Sequence, residues 1–203
     1  MHTIYILENV IALLMKKMLL INGSARKEGS CSELSKMTSE KGAAHGYEVE
    51  IVHLDDLKIA NCKGCLYCKE HGECQTKDDM IPLHKKVQDA DVFGLVTPVY
   101  FGAESGLMKN FIDRLYALLD RIGPGQYSVR FGKPKKGIVA VSCGAPDGNM
   151  TYHGIMSHLV IILRMFGSAD VVSGVIPGAA MTPVRESPFA KDLMDAVDFT
   201  LST

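Results

Sequence analysis

Five short apolar segments alternate with amphipathic segments along the chain. The apolar segments lie at 18–22, 48–54, 91–98, 135–142 and 169–176, and helical patterns lie near 31–45, 78–90, 105–120, 151–167 and 188–201. Strands this apolar are covered on both faces, which is typical of a parallel sheet wrapped by helices. The pattern therefore predicts an α/β fold: a doubly wound, five-stranded parallel sheet of order 2-1-3-4-5 with helices on both faces.

Composition favours one packed domain that binds neither nucleic acid nor membrane. The chain has 203 residues, 47% of them hydrophobic, and its 22 basic and 23 acidic residues leave a formal charge of -1. Residues 1–14 are apolar, but they are too short for a membrane helix and lack the basic start of a signal peptide. We interpret them as an N-terminal extension to a domain at 15–203. Six cysteines without a secretory signal indicate a reducing compartment, so we expect a cytoplasmic protein.

The loop after the first strand, at 22–32, is rich in small and hydroxyl-bearing residues. Ligands of open α/β sheets lie past the carboxyl ends of the strands, where this loop is expected. Ser30 and Glu33 form an S-x-x-E capping box, which predicts that a helix begins at Ser30 with its free N–H groups pointing into the loop. Those amides, the serine hydroxyls and the Arg26 guanidinium would surround a phosphate with donors. A surface turn that only caps a helix is the alternative.

The loops after the third and fourth strands have compositions that suit a planar ring. The loop at 97–106 holds a proline, two neighbouring aromatic residues and glycines, which predict a flat, partly apolar wall. Packing of the Tyr-Phe pair into the core is the alternative. The loop at 142–149 has the glycine content that close approach of backbone to a ring requires. The other long connections are the segments at 55–77 and 121–136, and loops of this length are usually functional.

Four cysteines within the loop at 62–74 have the spacing C-x2-C-x2-C-x5-C. Three thiolates at intervals of three can surround one face of an iron–sulfur cubane, and a fourth thiolate closes the site. Zinc bound by three of them with His71, or four free thiols, are the alternatives. Elsewhere, Cys31 is expected either to have a pKa lowered by a helix N-terminus or to fit a small side chain beside the ligand, and Cys143 is expected to be a packing residue.

The histidines show no ligand spacing. We interpret His53, His84 and His158 as surface residues of strands or helices. For His153, just after the loop at 142–149, contact with the ring is one alternative.

The segments NGSARK, TPVYFG, KNFIDR (109–114) and SCGAPDGN, in this order, resemble the NADPH-dependent FMN reductase group of flavodoxin-like proteins over residues 18 to about 176. The cysteine spacing, followed by Asp78-Asp79-Met80, resembles the iron–sulfur flavoprotein branch of that family. The resemblance implies FMN, a [4Fe–4S] cluster and NAD(P)H as an electron donor. The FMN-binding residues that it implies are Ser24, Arg26, Ser30, Cys31, Ser32, Pro98, Val99, Tyr100, Phe101, Gly102, Ser142, Gly144, Gly148 and Asn149. The cluster ligands that it implies are Cys62, Cys65, Cys68 and Cys74.

The sequence therefore predicts an FMN-dependent oxidoreductase or electron-transfer iron–sulfur flavoprotein, in which FMN carries the chemistry and no protein side chain is catalytic. One alternative is an FMN-only NAD(P)H-dependent reductase of quinones, flavins or other small acceptors. Another is a non-catalytic module that senses oxidation through its thiols or a cluster. We expect small-molecule or protein electron donors and acceptors, and a homodimer or homotetramer whose cluster loop lies near a subunit boundary.

Overall fold

The structure is a computed structural model that describes residues 15–145, 151–180 and 182–203. The predicted extension at 1–14 and the part of the third loop at 146–150, which includes Gly148 and Asn149, lie outside the described residues, as does the side chain of His153.

Five parallel strands form the main sheet, and their order confirms the predicted 2-1-3-4-5 arrangement. The strands of the structure are β1 Lys17–Asn22, β2 Glu48–His53, β3 Val92–Tyr100, β4 Ala103–Glu104, β5 Leu119–Gly123, β6 Gln126–Val129, β7 Lys135–Ser142 and β8 Ser168–Ile176. The main sheet runs β2-β1-β3-β7-β8, and β4 pairs with the end of β3. The carboxyl ends of β1, β3 and β7 therefore lie side by side at one edge of the sheet.

Helices cover both faces of the sheet because its strands are apolar on both sides. The α-helices are α1 Ser30–Ala44, α2 Tyr67–His71, α3 Met80–Asp89, α4 Gly106–Arg114, α5 Thr151–Met165 and α6 Pro188–Ser202. In β1, Leu19 and Ile21 belong to the core that contains buried side chains of α3, α4 and α5, whereas Met18 and Leu20 belong to the core formed with α1 and α6. Burial on both faces is the reason that the apolar runs could be identified as central strands.

The chain after α4 differs from the prediction. The predicted helix at 105–120 ends at Arg114, continues as a 3₁₀ turn over Leu115–Leu118, and enters a two-stranded hairpin of β5 and β6. Gly125 has a φ of 69°, which lets the hairpin turn at a position predicted to be an irregular loop. In the described part of the chain, no helix is long and apolar enough to cross a membrane.

Lys135 is a buried cation at the start of β7. Its ammonium donates hydrogen bonds to the carbonyl oxygens of Gln88, at 2.9 Å, and Ala90, at the end of α3. Burial is the main reason that the pKa of Lys135 is lowered to about 8, and the neighbouring charge of Lys133 acts in the same direction. The buried ammonium therefore joins α3 to the sheet at an electrostatic cost.

We expect the unfolding free energy of the unchanged protein to rise between about pH 8 and pH 10 relative to that of Lys135→Met. The pKa of Lys135 is lower in the folded chain than the value of about 10.4 for an unfolded lysine, so the unfolded chain binds more protons in this interval. Deprotonation then favours the folded state, and the cost of burying the charge disappears. Denaturant titrations at several pH values measure the difference between the two proteins. A difference that is constant from pH 7 to pH 10 would contradict this prediction.

Candidate functional site

At the carboxyl edge of the sheet, the loop after β1 contacts the loop after β3 directly and the loop after β7 through Ala179, which follows β8. The hydroxyl of Ser105 donates to the carbonyl oxygen of Gly23 at 2.6 Å, which joins the first loop to the second. A Cβ on Gly23 would lie 3.0 Å from the Ser105 Oγ and 2.9 Å from a side-chain carbon of Met108, so only glycine fits this contact. Ser30 donates to the carbonyl oxygen of Ala179 at 3.0 Å, and the Ala179 N–H donates to Cys143 in the third loop.

The start of α1 has no capping side chain. The helix begins at Ser30 as predicted. The predicted capping box is wrong, because the N-cap is Gly29 and the Ser30 hydroxyl donates to the Ala179 carbonyl oxygen. The Glu33 carboxylate pairs with Arg185 rather than with the helix terminus. Because no capping side chain takes the N–H groups of the first turn, they are the kind of donors that bind an anion.

Hydrogen bonds of two serines fix the backbone on both sides of Arg26. The Arg26 N–H donates to the Ser24 hydroxyl at 3.2 Å, and the Ser32 hydroxyl donates to the Arg26 carbonyl oxygen at 3.1 Å. Both serines are buried, whereas Arg26 is exposed. The loop therefore presents a guanidinium next to the start of α1, as a phosphate site requires.

Cys31 is a neutral, buried thiol. Burial is the main cause that raises its pKa to about 12, and the positive charge of Arg26 opposes this shift without overcoming it. The prediction that the pKa of the Cys31 thiol is lowered is therefore wrong. The alternative, a small side chain beside the ligand, stays a prediction. The prediction that Cys143 packs in the interior is confirmed by its burial.

The second loop turns sharply at two residues. Tyr100 pairs with Ala103, and between them Phe101 and Gly102 have φ values of 51° and 78°. Two successive residues with positive φ are typical of a two-residue hairpin turn. Tyr100 is 53% exposed and Phe101 is fully exposed, so packing of this aromatic pair into the core is wrong. An aromatic side chain that is both exposed and held in the left-handed region contributes little to the fold, which makes Phe101 a candidate binding residue.

The other predicted ring contacts that the structure describes lie at the ends of β3 and β7, which are neighbours in the sheet. Pro98 is buried and Val99 half-buried at the end of β3, and Ser142 is buried and Gly144 exposed at the end of β7. All of the predicted phosphate and ring residues that the structure describes therefore lie at the same edge of the sheet.

The four predicted ligand cysteines line a single pocket of about 390 Å³, including the space open to solvent. Cys62 and Cys65 are exposed, and Cys68 and Cys74 are half-buried. Each interval between successive cysteines contains a residue with positive φ. These residues are Gly64 with φ 61°, Leu66 with φ 60° and Gly72 with φ 79°. Such residues reverse the local course of the chain, which is how thiols spread over 13 positions reach one space.

The four thiols are the donor set that a [4Fe–4S] cluster uses. Among the described residues, no three His, Cys, Asp or Glu side chains lie close enough together to hold one metal ion. A tetrahedral zinc would need such a group at about 2.3 Å from the metal, whereas each thiolate of a [4Fe–4S] site binds a different iron. His71 stacks on Tyr67, with ring centers 3.8 Å apart, and its Nδ1 lies 3.1 Å from the Tyr67 carbonyl oxygen.

Besides Lys63, which lines the cysteine pocket, three cations hold the chain around it, and sequence reasoning did not identify these three. Lys69 lies over the Tyr116 ring, 3.5 Å from its center, and donates to the carbonyl oxygens of Tyr116 and Leu119. Arg130 donates to the carbonyl oxygens of Cys68, at 2.6 Å, and Gly72. Arg114, at the end of α4, is the third and is almost completely buried.

Helix α4 attaches the cysteine loop to the core. Asn110 and Arg114, four residues apart, project from the same side of the helix. The Asn110 amide donates to the carbonyl oxygen of Ile59, and the Arg114 guanidinium donates to that of Ala60, both at 2.7 Å. No local pattern in the KNFIDR segment distinguishes Arg114 from an arginine on the surface of a helix.

Two aspartates hold the same loop from the other side. The Asp78 carboxylate accepts hydrogen bonds from Arg114 and from the N–H of Ala60 at 2.9 Å, and Asp79 accepts from the N–H of Lys58 at 2.7 Å. Although burial by itself would raise the pKa of Asp78, the hydrogen bonds and the Arg114 charge lower it. The chain is therefore fixed immediately before the first cysteine and immediately after the last.

One histidine prediction is wrong. His84 is buried rather than exposed, its Nε2 lies 3.0 Å from the Arg114 carbonyl oxygen, and burial lowers its pKa. His53 and His158 are half-buried.

The comparisons with known proteins agree with this arrangement. The family model of the NADPH-dependent FMN reductases matches residues 16–177. An iron–sulfur flavoprotein of Archaeoglobus fulgidus is 43% identical over 147 residues, which cover 72% of this chain and 68% of the relative. An iron–sulfur flavoprotein of Methanocaldococcus jannaschii is 34% identical over 135 residues, 66% of each protein. The chain thus spans about two thirds of the length of these two relatives.

The fold is shared with a solved NAD(P)H:quinone oxidoreductase from Methanothermobacter marburgensis. The TM-score is 0.69 at 13% sequence identity, and the match covers 92% of this chain and 98% of the other. At this identity the likeness shows the flavodoxin-like fold alone.

We expect Leu66→Gly to be more stable than Leu66→Ala by about 1 kcal/mol, because alanine keeps the strain of a positive φ and glycine relieves it. In ordinary backbone the order is reversed, with glycine less stable than alanine. At Phe101, which also has a positive φ, the glycine variant should likewise be more stable than the alanine variant. Urea denaturation of the four variants measures the difference, and a glycine variant less stable than its alanine counterpart would contradict the assignment of strain.

Proposed function

The chain belongs to the iron–sulfur flavoprotein branch of the NADPH-dependent FMN reductase family, and we propose that this FMN-dependent oxidoreductase has a [4Fe–4S] cluster as its second redox center. The observation that carries the proposal is the single pocket lined by all four cysteines, with a left-handed residue in every interval between them. The ligands would be Cys62, Cys65, Cys68 and Cys74.

When bound, FMN supplies hydride and single-electron chemistry, and the cluster supplies a one-electron store. The protein residues bind and orient. In our proposal, Arg26 and the first-turn amides of α1, which include those of Ser30 and Ser32, hold the FMN phosphate. The hydroxyls of Ser24, Ser30 and Ser32 hold the loop in place around it. Cys31 places a small neutral thiol beside it.

The ring would lie against the second and third loops. The side chains and backbone from Pro98 to Gly102 would form one wall, and Ser142, Gly144, Gly148 and Asn149 would form the other. The exposure of Tyr100 and Phe101 supports this assignment, because a planar ligand or substrate would cover surface that the fold leaves open.

Helix α4 connects the two proposed centers within one subunit. It begins next to Ser105, which contacts the phosphate loop, and ends at Arg114, which lines the cysteine pocket. The nine helical residues correspond to about 13 Å of helix axis. Electron exchange between FMN and cluster is therefore compatible with the size of one subunit, with NAD(P)H as donor and a small molecule or protein as acceptor.

A homo-oligomer would shield the cluster. Cys62 also lines a neighbouring open groove together with the apolar side chains of Ile112, Ile162, Met165 and Phe166. Met165 is 41% exposed. Apolar surface directly beside the exposed Cys62 supports our expectation that the cluster loop lies near a subunit boundary.

Arg26→Ala should weaken FMN binding about 10- to 100-fold, because it removes a charge-assisted hydrogen bond to the phosphate. Lys27→Ala is the control, since it removes a neighbouring positive charge whose partner is Asp56. Titration of the apoprotein with FMN, followed by flavin fluorescence, measures both affinities. Equal affinities for the Arg26→Ala variant and the unchanged protein would contradict the phosphate assignment.

Cys65→Ala or Cys68→Ala should abolish the cluster while FMN stays bound, because the flavin loops are separate segments of the chain. Anaerobic reconstitution with iron and sulfide should give about four irons per chain in the unchanged protein. The control variant Cys143→Ala removes a thiol outside the pocket, so it should bind as much iron as the unchanged protein. Iron analysis and the visible spectrum are the measurements. Failure of the unchanged protein to take up iron would favour the FMN-only reductase.

A further inference from the structure

We propose that Arg114 is a positioning residue for the cluster, which fixes the Cys74 ligand and raises the reduction potential of the bound cluster through a hydrogen bond to its sulfur. This inference rests on the proposed function, because it requires a cluster at the four cysteines.

The guanidinium of Arg114 makes five polar contacts through Nη1 and Nη2, and the two N–H groups of Nη2 are shared among three acceptors. Nη1 donates to the Ala60 carbonyl oxygen and to the Asp78 Oδ2, both at 2.7 Å. Nη2 donates to the Asp78 Oδ1 at 2.9 Å, to the Thr76 carbonyl oxygen at 3.3 Å and to the Cys74 Sγ at 3.5 Å. The bidentate pairing with Asp78 fixes the plane of the guanidinium, and this plane directs Nη2 toward the sulfur.

Burial makes this arrangement permanent at every physiological pH. The Arg114 side chain is 1% exposed, and an arginine does not lose its proton in a protein. Its Nε is buried and has no hydrogen-bond partner among the described residues, so this pocket-lining side chain also keeps an unused donor. A buried N–H without an acceptor costs free energy, and an acceptor bound in the pocket would remove that cost.

The expected effect on the cluster follows from charge. Reduction adds one electron to the cluster and its thiolates, and no bond is made or broken in the protein. A donor that bonds a ligand sulfur stabilises the more negative, reduced form, so it raises the potential. The Arg114 guanidinium is such a donor, and its partner Asp78 offsets the charge without removing the hydrogen bond.

Arg130 is the matched control. Arg130 also holds the backbone around the cysteine pocket. It donates to the carbonyl oxygens of Cys68 and Gly72 and to the Asp120 carboxylate, not to a sulfur. Substitution of either arginine by lysine keeps the charge and removes the planar donor. The two variants therefore separate a bond to the ligand sulfur from support of the backbone.

The test is a redox titration of the reconstituted cluster, with dithionite as reductant and electron paramagnetic resonance as readout, in the unchanged protein, Arg114→Lys and Arg130→Lys. We expect Arg114→Lys to disfavour reduction about tenfold, which corresponds to about 59 mV for a one-electron couple. Arg130→Lys should change the equilibrium less than about threefold. Equal shifts in both variants, or no shift in Arg114→Lys, would overturn the inference.

A second variant covers the case in which Arg114→Lys does not fold. Arg114→Met combined with Asp78→Asn removes both charges together, so no unpaired buried charge remains, and the side-chain oxygen of the introduced asparagine can still accept from the backbone. The cluster of this double variant should also have a lower potential, and a potential equal to that of the unchanged protein would overturn the inference. Absence of iron from the unchanged protein is a distinct result, which would overturn the proposed function and this inference with it.

Discussion

The buried salt bridge between Arg114 and Asp78 joins the cysteine loop to the flavodoxin-like core. Burying two charges costs several kcal/mol of desolvation, so the pair is not explained by stability alone. Its geometry explains it better, since one guanidinium bonds the chain before the first cysteine, at Ala60, and after the last, at Thr76. A loop with two exposed cysteines has little apolar surface of its own, and it therefore depends on the helix that presents Arg114.

The same helix is fixed at its other end by Ser105. The Ser105 hydroxyl caps α4 by accepting from the Met108 N–H at 3.1 Å and donates to Gly23 in the phosphate loop, while the Ser105 N–H donates to the Thr97 hydroxyl. The buried apolar side chains between the two ends, among them Met108 and Phe111, pack in the main core. The geometry of both candidate sites is therefore set by one rigid element and its two buried polar ends.

The strands could be predicted because burial on both faces leaves a strong apolar signal, and the cysteine pocket because its ligands are close in sequence. The predictions failed at positions where tertiary contacts, rather than the local sequence, determine the structure. Ser30 has the local pattern of a capping box, but the Ala179 carbonyl competes for its hydroxyl. The apolar run Leu115–Leu118 extends the helical period of α4, whereas the chain there turns into a hairpin. Arg114 resembles a surface residue in a helical pattern, because nothing local reveals that Asp78 will neutralise it in the interior.

Charge around the cysteine pocket gives the strongest physical reason for an anionic occupant. Lys69 donates to backbone carbonyl oxygens rather than to a buried acid, and the carboxylate partner of Arg130, Asp120, is 53% exposed. Burial lowers the pKa of Lys69, and the neighbouring Cys68 opposes this shift. Cations whose charge is not balanced by buried acids are costly unless an anion completes the site. Four thiolates around an iron–sulfur core carry net negative charge, so the group that the cysteine spacing predicts would also balance these cations.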